Sequence, residues 1–424
     1  MNNKQVMTLS TQNLKKKNSK LRIILGIFLG LFILNGCNNE TIEEPINTPE
    51  INTCDLSSLE NSMINTSNIL NIYDSNENIV GTIESNKLVL LSNSKDCYMS
   101  IKGSDYYLLG DNLEVTGTKK NYEDSLVSYS KDLYTNNSFS LYDFHGRLVY
   151  TFDVPMTFEL YAQKDDYNNS YGVKFANDLL FIKDTDVLKV EDNNKIIEQE
   201  LANNIPVMMY HFFYDEKAGE KKLDNNWLEI NDFKEQLEYL NDNNFISLNM
   251  KEIYLYTKGL SQVPNKSYGL TIDDGNESVY RLAYPLLLEN NIKATNFVIG
   301  GWMGEYMPYE FIEMRMNNVE PQSHSFLMHE SGCPNSKGKL ICADEETVFQ
   351  DTLMSLQYVD SGFSYCYPFG HYSEDKFAPM QKAGVRLSFT TEYGKITQGD
   401  NLMKLPRIRI SADDSIEAYK SKLS

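Results

Sequence analysis

Two adjacent carboxylates and two closely spaced imidazoles are the residues of this chain best suited to chemistry. Asp273-Asp274-Gly275 directly follows the apolar run Tyr268–Ile272. A strand that ends in two acids and a Gly turn aims their side chains into a site at its carboxyl end. Such a turn is also an ordinary way to end a strand, so the histidines carry the weight. There are five: His145, His211, His324, His329 and His371. His324 and His329 stand five apart, so they do not share one helical face and need a turn to converge. Pro321 before them and Gly332 after them suit such a turn. Two imidazoles and one carboxylate make a facial metal triad with positions left open for water and substrate. One acid of the pair, with His324 and His329, is therefore the candidate ligand set of a divalent metal. Zn²⁺ is the first choice, with Co²⁺, Ni²⁺ and Fe²⁺ as alternatives. A metal lowers the pKa of bound water to about 7 and polarises a carbonyl. The acid left unligated is a candidate base, and a protonated His a candidate acid.

These groups need elements to hold them. Ile205–Tyr210, Phe245–Leu248, Tyr268–Ile272, Ala294–Ile299, Tyr365–Tyr367 and Leu387–Thr390 read as short buried strands. Phe233, Leu237 and Leu240 recur at helical spacing, as do Val279, Leu282, Ala283, Leu286 and Leu287 despite Pro285. Thr347–Tyr358 and Asp375–Ala383 read as further helices. Strand–helix alternation over residues 205–424 predicts an α/β domain with a parallel sheet or barrel, and chemistry at the strand ends. Residues 54–191 instead show short alternating runs between turn residues, the mark of an all-β region. The pattern repeats. Ile72-Tyr73-Asp74 through Val80 parallels Leu141-Tyr142-Asp143 through Val149, and Asp111–Val115 parallels Asp186–Val190, with extra residues in the second copy near Tyr161–Tyr171. Two modules follow, 54–130 and 131–191, loosely similar to Src-homology-3-like barrels. They serve as glycan binders or as a spacer. Residues 192–204 form a polar linker with helical character.

The motifs resemble those of the polysaccharide deacetylases, the NodB-homology or carbohydrate esterase 4 family. Thr271-Ile272-Asp273-Asp274 looks like its first motif, in which the first Asp is the base and the second binds zinc; the resemblance implies Asp273 as the base and Asp274, with His324 and His329, as the metal ligands. His324-Ser325…His329 looks like the second. Its five-residue spacing is similar to the branch that acts on poly-β-1,6-N-acetylglucosamine. Tyr365-Cys366-Tyr367-Pro368-Phe369-Gly370 resembles the third motif, which implies that the Tyr367 N–H holds the oxyanion. Ile205–His211 and Leu405-Pro406-Arg407-Ile408 also resemble that branch. The resemblance implies a deformed (β/α) barrel and metal-dependent removal of acetyl groups from N-acetylglucosamine polymers. Two departures stand out. The Arg that usually braces the base is replaced around Cys366, with Arg407 as the candidate substitute. No His follows His371, so the general acid falls to His211, with His371 as competitor. Trp302, Tyr306 and Tyr309 are candidates for stacking on sugar rings, and Arg407 for a further substrate contact.

The amino terminus reads as an address. Lys15–Lys17 and Lys20 precede the apolar run Ile23–Leu34, too short to span a bilayer. Leu34-Asn35-Gly36-Cys37 resembles a bacterial lipobox with Cys37 as the lipidated residue. Residues 1–37 are then a lipoprotein signal and 38–53 a tether, which predicts a lipid-anchored protein on the outer face of the cell membrane. Residues 1–36 hold six basic residues and no acid, leaving 33 basic against 59 acidic residues in the remainder. That excess repels nucleic acid and favours neutral or cationic partners. Beyond Cys37 stand Cys54, Cys97, Cys333, Cys342 and Cys366, an odd number in an export setting where disulfides form. Cys333 and Cys342 enclose a short loop and are placed to pair; sequence does not decide the connectivity. Rival functions are a polysaccharide O-acetyl esterase, which needs no strong acid, and a catalytically weak glycan-binding lipoprotein. Oligomeric state is not readable.

Overall fold

Seven parallel strands close into a barrel, in the order in which they occur in the chain: Ile205–Tyr210, Ser267–Ile272, Ala294–Val298, Val319–Ser323, Ser364–Cys366, Leu387–Tyr393 and Leu405–Arg409. The first pairs with both the second and the last, Tyr210 opposite Ile272 and Met208 opposite Ile408. The first two strands are buried at every residue, as parallel strands covered on both faces must be. Ile246–Leu248 adds in parallel outside Ser267–Ile272. This computed structural model describes residues 54–423 apart from 55, 111, 112, 114, 118–123, 167, 303–313, 315, 316 and 361. Cys37, the signal run, the tether, Tyr306 and Tyr309 lie outside the described residues.

The stripe around Pro285 is helical in two parts, a wide π turn at Val279–Ala283 and then an α-helix at Tyr284–Glu289. Proline cannot donate to the preceding turn and crowds it, and the wider turn accommodates this while Val279, Ala283 and Leu287 stay buried. The helix Met250–Thr257, with the capping box Asn249/Glu252 at its start, closes the amino end of the barrel. Its Met250 and Ile253 share a core with Val207, Phe297, Leu387, Phe389 and Leu405. A Cβ at Gly269 would stand 2.9 Å from Ile253 Cδ1, which is why this strand position is a glycine.

Among the described residues the amino-terminal region forms a 14-stranded antiparallel sheet. Its halves join where Ile79–Ile83 pairs with Leu148–Phe152, Thr151 opposite Thr82, Tyr150 opposite Ile83 and Phe152 opposite Gly81. Thr82 and Thr151 are equivalent in the repeat, so a local two-fold axis passes between them. Joining equivalent edges satisfies N–H and C=O groups that each half alone would leave exposed. The extra residues of the second copy are spread over more than one hairpin: Leu91 faces Ile101 in the first half, whereas Leu160 faces Val173 in the second. The 192–204 segment is not helical. It runs extended, and Ala202 donates to Val263 O. Leu126, Ala162, Leu179 and Phe181 of the β region share one core with Tyr254 and Leu255 of the closing helix, within the compact unit Thr53–Ser424.

Candidate active site

Asp273 and Asp274 emerge at the carboxyl end of Ser267–Ile272. Asp273 N–H donates to Tyr210 O at 2.9 Å, so the chain stays tied to the neighbouring strand until the turn begins. Asp274 and Gly275 then take left-handed backbone angles, φ 75° and 70°. An Asp at positive φ is uncommon, and here it swings the second carboxylate away from the first. Ser325 does the same for the histidines: its φ of 73° turns the chain directly after His324 and lets His329 return. The Nε2 atoms of His324 and His329 lie 3.3 and 3.4 Å from Asp274 Oδ1.

This arrangement fits a cation. His324 Nδ1 is 2.8 Å from the Cys366 carbonyl oxygen, which can only accept, so Nδ1 carries the proton. A neutral His324 would then direct an Nε2 lone pair at a carboxylate oxygen, and such a contact needs positive charge between the two atoms. A bound cation or a proton supplies it. Burial opposes a charge on His324, yet Cys366 and Asp274 raise its pKa well above the ordinary histidine value. Burial and the neighbouring His324 push His329 down to about 4. One carboxylate and two imidazole nitrogens, all within 4.8 Å of one another, form a donor set for a divalent metal.

Asp273 is held apart from that set. Arg407 grips it with both arms, Nη1 to Oδ1 at 2.8 Å and Nη2 to Oδ2 at 2.7 Å. Nη1 also donates to Thr271 Oγ1 and Nε to Thr390 O. Cys366 Sγ lies 2.9 Å from Nη2 and 3.3 Å from Asp273 Oδ2. Burial would raise the Asp273 pKa, but the Arg407 charge and hydrogen bonds prevail and hold it far below the usual carboxylate range. Asp273 is thus a rigid, ionised acceptor at the edge of the metal set. Arg407 is 1% exposed and its donors are spent inward on Asp273, Thr271 and Thr390 O, so its burial speaks against the substrate contact expected of it.

His211 follows Tyr210 at the level where Asp273 follows Ile272. Burial lowers its pKa, while Asp273 and Asp274 pull it upward; its Nδ1 is buried with no partner among the described residues. His371 is engaged elsewhere, its Nδ1 accepting from Gly338 N–H at 3.0 Å. The sequence gives the oxyanion to the Tyr367 N–H, and the structure corrects this. That N–H donates to Phe389 O at 3.1 Å, and the Tyr367 hydroxyl is buried on Met403 O. Two residues on, Phe369 has φ 58°, no described residue accepts its N–H, and its ring centroid lies 4.3 Å from that of His329. Sequence reasoning missed Phe369; the Phe-Gly pair after Pro368 is the signal that could have found it. Trp302 is 58% exposed with its ring centroid 5.1 Å from that of His329.

A family model described as polysaccharide deacetylase matches residues 261–388. A poly-β-1,6-N-acetyl-D-glucosamine N-deacetylase of Staphylococcus aureus is 31% identical over 230 residues, 51% of this chain and 77% of the relative. The chain belongs to the polysaccharide deacetylase family. As a family member it is a deacetylase, a hydrolase. Among solved structures, IcaB from Ammonifex degensii is similar with a TM-score of 0.46 and 22% identity, covering 53% of this chain and 99% of that one. The Streptococcus pyogenes deacetylase PplD in complex with acetate has a TM-score of 0.46 and 25% identity, covering 52% and 98%.

Proposed function

We propose that this deacetylase removes N-acetyl groups from an N-acetylglucosamine polymer, using a divalent metal, zinc first among them, at Asp274, His324 and His329. The observation that carries the reading is the ionised, Arg-braced Asp273 directly beside that donor set. The S. aureus relative, named for poly-β-1,6-N-acetyl-D-glucosamine, supports the polymer class. The metal, when bound, lowers the pKa of a water and polarises the acetyl carbonyl. Asp273 accepts the proton of the attacking water. The Phe369 N–H, unpaired among the described residues, serves the developing oxyanion in place of Tyr367. His211, protonated, donates to the leaving nitrogen, and Trp302 offers a ring face to a sugar. The chain acts at the outer face of the cell membrane, anchored through a lipid on Cys37. The two β halves are read as Src-homology-3-like modules that space the barrel from the membrane.

Acetate release from N-acetylated and O-acetylated glycans, with and without chelator, tests this reading. Chelator-sensitive release from the N-acetylated polymers is expected; release from O-acetyl esters alone would replace it with an esterase. The acid is tested with His211→Gln. That variant should bind metal normally, lose about 10²–10⁴-fold in N-deacetylation, and keep most activity on an activated aryl acetate, whose leaving group needs no proton. Equal loss on both substrates would remove His211 as the acid.

A further inference from the structure

We infer that the Cys333–Cys342 disulfide loop and His371 together form a brace that holds the Phe369 turn in its working geometry. The inference rests on the reading above for the role of the Phe369 N–H. The loop begins four residues after His329. Ser331–Cys333 pairs antiparallel with Lys337–Gly338, and the disulfide closes the loop at Cys342. It lies directly on the turn. Gly338 N–H donates to His371 Nδ1 at 3.0 Å. A Cβ at Gly338 would stand 3.1 Å from Phe369 Cδ2 and 3.6 Å from both His371 Nδ1 and Pro368 O, so only hydrogen fits there without displacing a neighbour. On another side the Leu387–Tyr393 strand presses close, since a Cβ at Gly370 would stand 2.1 Å from Thr391 Oγ1.

A turn clamped in this way suits Phe369, because a bulky residue at φ 58° persists only where its surroundings over-determine it. The loop supplies part of that determination and the next strand the rest. His371 is the peg between loop and turn. Its Nδ1 is an acceptor, so its proton is on Nε2, and its ring centroid is 6.0 Å from that of Phe369. It is a positioning residue and touches none of the reacting atoms.

The test uses the full chain and needs an acceptor to be separable from an acid. Asn places its carbonyl oxygen close to where Nδ1 stands; Ala has no acceptor. His371→Ala should lower kcat by about 10- to 100-fold through misplacement of the turn, with KM and bound metal close to wild type. His371→Asn should restore most of kcat. A Cys333→Ser/Cys342→Ser protein, which leaves the structure's other disulfide, Cys54–Cys97, intact, should lose kcat by a similar factor. Adding His371→Ala to it should cost little more, because both changes loosen one contact. Amide hydrogen exchange at Gly370 and His371 should quicken in the Ala and Ser proteins alike. Equal impairment of His371→Asn and His371→Ala with unchanged exchange would overturn the brace in favour of ring chemistry at His371. Wild-type kcat and exchange in the Ser protein would overturn the part given to the disulfide. If the wild-type chain released no acetate from any polymer, the functional reading would fail, and the exchange measurements would still judge the brace.

Discussion

Arg407 and Asp273 form a fully buried ion pair, and the value of such a pair depends on its geometry. Removing one partner from a buried pair costs about 3–5 kcal/mol because the other charge is stranded. Arg407→Met should therefore lower the melting temperature markedly as well as the activity. Arg407→Lys keeps the charge but not the two-armed grip, so it should fold better than the Met variant and still show depressed kcat. A Lys variant with wild-type kcat would show that charge alone suffices. Asp273→Asn should retain metal by elemental analysis yet lose activity, whereas Ala at Asp274, His324 or His329 should lose the metal. Full metal occupancy in His329→Ala would refute the triad. Asp273 and Asp274 stand at the end of a predicted strand, whereas His324 and His329 stood out by their spacing alone, since the strand Val319–Ser323 before them was not predicted. The functions of Arg407 and Phe369 were harder to read. Arg407 reaches Asp273 across 134 residues of sequence and the barrel interior, and its burial follows only from closure. Which N–H of Tyr367-Pro368-Phe369-Gly370 remains free depends on a ladder bond to Phe389 that no motif reveals.

Left-handed residues at loop tips set the directions of these side chains. Asp274, Ser325 and Phe369 each turn the chain at positive φ directly after a barrel strand or the short turn that follows one. Such residues cost about 1–3 kcal/mol each, so the packing around them must hold them in place. Gly370 shows how little slack remains. Gly370→Ala would add strain at φ 70° and a methyl against Thr391 Oγ1. It should reduce kcat well beyond any change in KM, with the metal still bound. Pairing it with Thr391→Ala should recover part of the loss, and absence of any recovery would mean that backbone angle rather than crowding dominates. At this scale the sequence was readable wherever period spoke plainly. The apolar run of Ser267–Ile272 and the stripe on Ile230–Asp242 stand as the pattern requires. It misled where period was faint. Residues 192–204 carry helix-forming residues but find their backbone partners on the Val263 segment, and tertiary pairing overrides propensity. The edge joining Thr82 to Thr151 is equally silent in sequence, since any strand edge can pair.

The closing helix Met250–Thr257 joins the β region and the barrel in one shared core. Glu252, fully buried, receives Lys293 at 2.7 Å and the Ser125 N–H, and Lys251 pairs with Asp124 at 3.2 Å. A 205–424 fragment would expose the outer face of that helix, with Tyr254 and Leu255, and strip Ser125 and Asp124 from the buried charges. It should melt lower and be cut faster by protease than the full chain. Equal stability would show that the shared core contributes little. The same seam contains an acid-sensitive group. His145 packs its ring 5.7 Å from that of Phe363, near Arg386, which stacks on Phe144. Burial pushes its pKa down to about 4, with Asp143 and Asp360 pulling upward and Arg147 and Arg386 adding to the depression. Unfolded, His145 titrates near 6.5. Between those values the unfolded chain binds a proton that the folded chain refuses, so stability falls as pH falls through the window from about 6.5 to about 4. Asp124 extends the trend below it: burial opposes ionisation, but Lys251 and Lys293 bring its pKa down to about 2, so its stabilisation is complete above about pH 4 and drains toward pH 2. Glu320, raised by burial, works in the opposite sense and blunts the slope at its acid end. The His145 contribution can be isolated because a buried apolar residue at that position has nothing to protonate. Melting temperatures recorded from pH 7 to pH 5 should decline in the wild-type chain and decline less steeply in His145→Leu, in which the lowered pKa values of His329 and His211 still contribute. Parallel curves for the two proteins would place the acid sensitivity elsewhere than at this seam.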